Sequence, residues 1–187
     1  MAKKLSEMTL QELWQLFPII LTEHREEWAF WYHEEAACLE NMLEDVPGIT
    51  FDHVGSTAVP GIWAKPIVDI LVQIPKSADM QIVKARICGQ GYICMSTSTS
   101  SMSFNKGYTP EGFAERVFHL HLRYAGDCDE IYFRDYLIAH PEIAREYEKL
   151  KLSLWKPYEH DRDGYTGAKT DFVKRYTEIA KEEGDAS

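Results

Sequence analysis

Residues 53–72 read HVGSTAVPGIWAKPIVDILV, and this stretch decides the fold. The run over residues 49–54 predicts a strand that leads directly into a turn beginning at Gly55. A second run, residues 66–74, is strongly apolar apart from Asp69 and predicts a strand that is otherwise buried on both faces. Two strands joined through a glycine turn therefore bring an acidic side chain near a flexible piece of backbone.

The turn has the residue types that bind phosphate groups. Glycine at position 55 allows a phosphate to approach the backbone closely, and the hydroxyls of Ser56 and Thr57 can donate hydrogen bonds to its oxygens. Asp69 on the neighbouring strand could hold a Mg²⁺ ion that bridges those phosphates. The alternative is an ordinary tight turn with a capping or ion-paired Asp69, because a carboxylate buried without a partner is costly.

The remainder of the chain predicts an α+β fold. Strands concentrate in the first two thirds of the sequence and helices at both ends, which indicates a mixed sheet with helices packed against it and a helical C-terminal region. Apolar stripes at helical spacing predict two helices after residue 127 and a single last helix. The other predicted strands are at residues 92–95, 102–108 and 116–124, and the first, second and last helices are at residues 9–17, 23–44 and 163–183.

Capping residues predict where three of the helices begin. Thr9 with Glu12, and Asp127 with Glu130, have the spacing of a capping box, in which each side chain accepts a hydrogen bond from a backbone amide at the helix start. Ser77 is the predicted cap of a helix in the middle of the chain.

Length and charge limit the classes of function. The chain has 187 residues, which suits one domain over residues 1–187, with residues 1–20 forming a peripheral N-terminal helix. Its formal net charge is −10, which opposes unspecific binding to nucleic acid, so no duplex nucleic acid is expected as a partner. A local basic cleft could still receive a nucleotide.

Cysteine spacing and the lack of long apolar runs indicate a cytoplasmic protein. The four cysteines have irregular gaps and no Cys-x-x-Cys pair, as expected for reduced thiols. The two lysines near the N-terminus precede no apolar stretch, so no signal peptide is predicted, and no run is long enough for a membrane helix.

Several motifs together resemble the GrpB family. The stretch 53–72 is similar to its first signature, and FHLHL at residues 118–122 is similar to its histidine strand. The C-terminal signature is matched by FRDYL at residues 133–137 with HPE at residues 140–142, and further matches are at Tyr147, Lys151, Tyr165 and residues 169–172. The resemblance spans roughly residues 20 to 180. It implies the nucleotidyltransferase fold of the DNA polymerase β superfamily.

The sequence departs from the catalytic pattern that this superfamily implies. There, a Gly-Ser turn precedes an Asp-x-Asp pair, with a third carboxylate on an adjacent strand, and the set holds two Mg²⁺ ions. Asp69 matches the first acid, but Leu71 stands in the place of the second and faces the same side of the strand. His119 and His121 stand near the third position, and imidazole suits zinc better than magnesium. Both histidines could equally be ordinary half-exposed residues of a sheet.

Lysines are the candidate ligands for phosphate groups. Lys65 precedes the Asp69 strand and could reach a phosphate or lie in solvent. Lys169 lies on the apolar stripe of the last predicted helix, so it either extends its amine to the surface or points into a cleft. Arg134 is expected to form a structural salt bridge with Asp135 or with an acidic core group.

Three hypotheses for function follow. The first is an enzyme that binds a nucleoside triphosphate and a divalent metal (magnesium or manganese, or zinc) and transfers the nucleotidyl group to a hydroxyl of a small molecule or an RNA 3′ end. The second is a catalytically degenerate nucleotide- or anion-binding module that acts as a sensor or partner protein, and the third is another acid–base reaction. In the first, the phosphate ligands are Gly55, Ser56, Thr57, Lys65 and Lys169, the metal ligands are Asp69, His119 and His121, and the catalytic residues are Asp69 and His121.

Overall fold

The structure, a computed structural model, describes residues 3–185 and contains a five-stranded mixed sheet. The strand order is β1-β2-β5-β4-β3. β2 pairs antiparallel with β1 and parallel with β5, and β4 pairs antiparallel with both β5 and β3. The strands are β1 (Thr50–Val54), β2 (Val68–Ile74), β3 (Ile93–Thr97), β4 (Ser101–Thr109) and β5 (Gly112–Tyr124). The predicted mixed-sheet α+β fold is confirmed.

The helices lie before, between and after the strands. The predicted capping box at Thr9 is confirmed, because its side chain accepts from the Glu12 amide while Glu12 accepts from the Thr9 amide. The helices are α1 (Leu10–Leu16), α2 (Glu27–Met42), α3 (Met80–Gly89), α4 (Asp129–Ala139), α5 (Pro141–Trp155), α6 (Arg162–Gly167) and α7 (Thr170–Asp185). No helix among residues 3–185 is long and apolar enough to span a membrane.

One face of the sheet forms the main core. Alternate residues of β2, among them Val68, Ile70 and Val72, are fully buried against α2 and α3. Neighbouring strands contribute Phe104 and Leu120 to the same cluster. Burial of such side chains stabilises a fold by about 1.5–3 kcal/mol each, so this face fixes the register of the sheet.

The C-terminal helices cover part of the opposite side. Residues of α4, α5 and α7 pack together with Val59 and Ile62 from the long loop between β1 and β2. A third cluster joins Tyr165 of α6 to Ile19 and Leu21, which precede α2. Between these helices and the sheet a cavity remains, and the β1–β2 loop opens into it.

Two of the predicted helix caps are wrong. The cap of α3 is Asp79 rather than Ser77, because the Asp79 carboxylate accepts the Gln81 amide. At the start of α4 the cap position is Cys128, with no side-chain cap. The predicted partners, Asp127 and Glu130, instead form ion pairs with Arg123 of β5.

Two predicted helices have different bounds. The helix predicted from residue 23 begins at Glu27, because Thr22 is held in extended backbone by hydrogen bonds with Ala64. The single last helix predicted over residues 163–183 is two helices, α6 and α7. The break follows Gly167, a residue that weakens a helix, and it places Lys169 at the junction. The ends of the predicted domain, residues 1–2 and 186–187, lie outside the described residues.

Candidate functional site

The Gly-Ser turn lies directly against the Asp69 carboxylate. Gly55 has φ +72°, a conformation that favours glycine, and a Cβ at this position would collide with the Asp69 side chain. Residues Ser56–Ala58 then form a single 3₁₀ turn. The Thr57 hydroxyl is buried and lies 3.0 Å from Nε2 of His53. The position therefore requires glycine, because only the bare backbone can approach the acid this closely.

Asp69 and the two predicted histidines meet at one point. His121 Nε2 lies 3.2 Å and His119 Nδ1 lies 3.5 Å from the same Asp69 oxygen, Oδ1. Burial alone would raise the pKa of Asp69, but hydrogen bonds from both imidazoles outweigh it and lower the pKa well below its usual range. Burial also lowers the pKa of His119. The arrangement is thus an ionised carboxylate that accepts hydrogen bonds from two imidazoles.

A chain of polar contacts extends from Asp69 to the N-terminal segment. The second nitrogen of His119, Nε2, lies 2.8 Å from the Tyr108 hydroxyl. Arg162 donates to that hydroxyl at 2.9 Å and to the backbone carbonyl of Phe17 at 3.2 Å. The Phe17 ring packs on Tyr108 with ring centroids 4.7 Å apart. The position of α1, which ends just before Phe17, is therefore linked to the histidine beside Asp69.

Asp52, the cross-strand neighbour of Leu71, does not replace the missing second acid of the site. Leu71 is fully buried and pairs across the sheet with Asp52 on β1 and with His121 on β5. Asp52 lies 3.6 Å from Arg134, which also donates to the His53 carbonyl at 2.8 Å and to Asp135 at 2.7 Å. The predicted structural salt bridge of Arg134 with Asp135 is present. The charge of Asp52 is therefore balanced by Arg134.

A cavity of about 940 Å³ opens in front of Asp69 and the turn. Four cationic side chains line it, against the two carboxylates of Asp69 and Asp163; the cations are Lys65, Lys151, Arg162 and Lys169. Burial, and then the charge of Lys169, lowers the pKa of Lys65 to about 7. Burial likewise lowers the pKa of Lys169 to about 8. The acidic protein thus contains a concave surface where positive charge is concentrated.

The three cavity lysines differ in the contacts that their ammonium groups make. Lys151 is buried and donates to the Trp63 carbonyl, so it also fixes the β1–β2 loop. Lys65 and Lys169 keep access to the cavity, and each ammonium lies over the Tyr165 ring, 5.6 Å and 4.3 Å from its centroid. Within residues 3–185 neither of these two ammonium groups has a hydrogen bond or an ion pair. They are the groups most available to a bound anion.

The outer part of the cavity is apolar. One wall comes from α1 and the residues around it, including Leu10 and Trp14, and the other comes from Ile93 and Met95 of β3. Leu10 is 56% exposed and Met95 is 58% exposed, so both walls leave apolar surface uncovered. The cavity therefore has a cationic inner end and an apolar outer end.

A pair of magnesium ions does not fit this cluster. Two-metal sites use several carboxylates, whereas here one carboxylate accepts hydrogen bonds from two imidazoles and faces lysines. Across residues 3–185 no group of three or more His, Cys, Asp or Glu side chains is arranged to hold a metal ion. That Asp69, His119 and His121 bind a divalent metal (magnesium or manganese, or zinc) stays a prediction.

Most of the predicted site residues lie together. The cavity lining includes Gly55, Ser56, Thr57, Lys65, Asp69, His119 and Lys169. His121 contacts Asp69 but is not among the lining residues. Sequence reasoning missed Lys151, Tyr108 and Arg162 as site residues. Lys151 had a usable signal, since it stands on the buried stripe of an amphipathic helix beside Tyr147.

Comparison with known proteins assigns the family. Residues 18–178 match the family described as GrpB protein. The chain belongs to the GrpB family. A UPF0157 protein of Pseudomonas aeruginosa is 39% identical over 151 residues, 79% of this chain and 62% of that protein, so the chain spans less than two thirds of that relative. The glutamate-rich protein GrpB of Alkalihalophilus pseudofirmus is 35% identical over 161 residues, 83% of this chain and 91% of the relative.

Solved structures show the same fold within the family. The crystal structure of GrpB from Enterococcus faecalis has a TM-score of 0.75 at 27% identity and covers 88% of this chain and 98% of that one. The Cid1 poly(U) polymerase, a nucleotidyltransferase-fold protein, has a TM-score of 0.45 at 9% identity over 70% of this chain and 41% of that one.

Proposed function

We propose that the protein binds a nucleoside triphosphate in the cavity, with its phosphates against the Gly55–Thr57 turn. The observation that carries the proposal is the pair of ammonium groups, Lys65 and Lys169, that face the cavity without a hydrogen bond or ion pair in residues 3–185. Phosphate oxygens are suitable partners for ammonium groups and for the amides and hydroxyls of such a turn.

The outer end of the cavity suits the nucleoside. Trp14 and Met95 provide aromatic and apolar surface in the cavity lining, where a base can pack without specific hydrogen bonds. An inorganic phosphate would use only the inner end. The combination of a cationic end and an apolar end therefore favours a ligand that carries both a polyphosphate and a flat organic group.

The Asp69 cluster supplies acid–base groups for transfer to a hydroxyl acceptor. Asp69 orients His121 through the 3.2 Å contact, as a carboxylate orients the imidazole of a general base. In the proposed reaction the acceptor oxygen forms a bond to the α-phosphorus, and its proton passes to the Asp69–His121 pair, of which Asp69 lines the cavity. The bond from that phosphorus to the bridging oxygen breaks, and pyrophosphate leaves.

A second candidate function is a binding module without chemistry. Leu71 in the place of the second acid, and the poor fit to two magnesium ions, favour it. In this case the cavity senses a nucleotide, and Asp69 serves to hold the turn and the histidines in place. The two candidates share the ligand and differ in whether pyrophosphate is produced.

Thermal unfolding tests ligand binding. The protein is heated with ATP, CTP, GTP or UTP, each without metal and with Mg²⁺, Mn²⁺ or Zn²⁺. A ligand at 100 times its dissociation constant adds about 2.7 kcal/mol to the stability, or roughly 5–10 °C in Tm for a domain of this size. The shift should be lost in Lys169→Met and kept in Lys149→Met, which changes an exposed lysine on α5. No shift with any nucleotide in folded protein would exclude the proposal.

Pyrophosphate release separates the two candidates. The wild type and His121→Ala are incubated with the nucleotide that binds and with hydroxyl acceptors that include RNA with a free 3′ end. Release that requires an acceptor and falls in His121→Ala, with nucleotide affinity unchanged, supports the transferase. Binding without release for every acceptor supports the binding module.

A further inference from the structure

We infer that the cavity accepts the polyphosphate as a free anion, with Lys65 and Lys169 taking the place that magnesium has beside a nucleotide. The inference rests on the proposed function and specifies the form of its ligand. It predicts that chelation of the nucleotide by magnesium weakens binding, whereas enzymes with a two-metal site require the chelated form.

The balance of charge at the inner end favours an anion over a cation. Lys65, Lys151, Arg162 and Lys169 line the cavity, and Asp69 and Asp163 are the only carboxylates among the described lining residues. Asp163 is exposed at the start of α6 and Asp69 accepts hydrogen bonds from two histidines. A divalent cation here would meet more positive than negative charge, and like charges a few ångströms apart repel strongly where water is excluded.

Two of the cavity ammonium groups, those of Lys65 and Lys169, also have no hydrogen bond or ion pair within residues 3–185. Lys65 and Lys169 both lie over the ring of Tyr165, so two ammonium groups flank one aromatic side chain. The charge of Lys169 depresses the pKa of Lys65 beyond the effect of burial. Asp69 acts on both lysines only at a distance, and a polyphosphate between them would supply a counter-charge within hydrogen-bond reach.

Tyr165 provides an independent sign of a missing ligand. Its side chain is fully buried, yet its hydroxyl has no hydrogen-bond partner within residues 3–185. A buried hydroxyl left unpaired destabilises the fold, so such groups are rare unless something else binds to them. Tyr165 is a lining residue of the same cavity. The residue with the unpaired hydroxyl is thus the same one whose ring the two lysines overlie.

Leu71 stands where a second carboxylate would bind a metal ion, so the site has less need of a metal-chelated nucleotide. A second carboxylate there would hold a metal ion against the phosphates, and a leucine cannot. Asp52, the cross-strand neighbour of Leu71, lies within an ion pair with Arg134. Because Leu71 provides no metal ligand, the lysines are the groups left to balance the charge of the phosphates.

Calorimetric titration of the full chain tests the inference. ATP is titrated in EDTA and again with magnesium in large excess over ATP, and CTP, GTP, UTP and inorganic tripolyphosphate are titrated under both conditions. The variants are Lys65→Met, Lys169→Met and Asp69→Asn, with Lys149→Met as the matched control on the outside of α5. Circular dichroism confirms that each variant is folded.

The expected result is that magnesium weakens ATP binding by roughly tenfold or more, as expected when two unit charges of the ligand are masked near fixed cations. Each cavity lysine variant should weaken binding in EDTA by roughly thirtyfold, and Lys149→Met should leave it unchanged. Asp69→Asn removes a negative charge from the site and should bind ATP in EDTA at least as tightly as the wild type.

Two other results would contradict the inference in different ways. Equal or tighter binding with magnesium, lost in Asp69→Asn, would show a metal-bound nucleotide and would overturn the inference while the proposed function stands. No binding of tripolyphosphate, ATP, CTP, GTP or UTP in either condition would overturn the proposed function, and the inference with it.

Discussion

The two faces of the central sheet carry different kinds of side chain. On one face Val68, Ile70 and Val72 are buried against two helices, and every side chain has an apolar neighbour. On the other face Asp69 contacts two histidines, a glycine adopts positive φ against it, and lysines are held in a cavity. The difference indicates that one face provides stability and the other retains groups that cost stability, as binding sites commonly do.

The largest loss of stability should come from placing a carboxylate on the core face of β2, compared with a carboxylate on the opposite face. Ile70→Asp buries an unpaired carboxylate in the apolar core and should cost more than about 4 kcal/mol, enough to unfold the protein. Leu71→Asp is the matched change one residue on, on the face of Asp69 and opposite His121 of β5, and should cost less. Urea unfolding of both variants makes the comparison. Equal losses would show that the cavity face is as intolerant of charge as the core.

Gly55→Ala should have the next largest effect. The new Cβ would meet the Asp69 carboxylate, and alanine is strained at φ +72°, so a loss of about 1–3 kcal/mol and of nucleotide binding is expected. Gly89→Ala is the control, because nothing lies within 4 Å of a Cβ there. Urea unfolding and ATP titration measure both changes. A Gly55→Ala protein of normal stability would refute the close approach of turn and acid.

Lys169→Met should weaken nucleotide binding while it stabilises the free protein. Burial lowers the pKa of Lys169 from 10.5 to about 8, so the unfolded chain binds this proton more tightly than the folded one. Stability should therefore rise with pH between about 8 and 10.5, and the variant should lose that slope.

At neutral pH the Tm of Lys169→Met should rise by roughly 2–4 °C if about 1 kcal/mol is recovered. Thermal unfolding at several pH values, with Lys149→Met as the control, measures both features. A lower Tm with intact nucleotide binding would show that Lys169 is a structural residue and not a ligand.

The smallest effect concerns His53, which lies on the core side of the turn. Its ring stacks on Tyr32 with centroids 4.9 Å apart, and burial lowers its pKa from 6.5 to about 4. The folded state therefore resists protonation of His53, and its contribution to stability is present above pH 6.5 and lost as pH falls towards about 4. His53→Gln should flatten the stability profile in this window, and the exposed His33→Gln should not. An unchanged profile in His53→Gln would contradict the assignment.

The sequence predicts the local part of the site better than the distant part. Gly55, Ser56 and Asp69 stand in two neighbouring strands and the turn between them, so alternation and turn chemistry place them together. The pairing of Asp69 with His119 required the parallel register of β2 and β5, which spacing along the chain does not determine. The resemblance of the histidine strand to a family motif supplied that link.

The cationic part of the site comes from segments far apart in sequence. Lys151 reaches the cavity because its ammonium binds the Trp63 carbonyl, a contact between residues that no local pattern connects. Arg162 holds Tyr108 and the Phe17 carbonyl in the same way. The break between α6 and α7, which places Lys169 at a junction, depends on weak helix propensity at Gly167 rather than on the apolar stripe. These features follow from tertiary packing and were not predictable from periodicity.

A structure of the protein crystallised with a non-hydrolysable ATP analogue, in EDTA, tests the central claim most directly. The account predicts phosphate oxygens within hydrogen-bond distance of the Gly55–Thr57 turn and of the ammonium groups of Lys65 and Lys169, with the base between α1 and β3. Density for the analogue elsewhere on the surface, or an empty cavity at a saturating concentration, would contradict it.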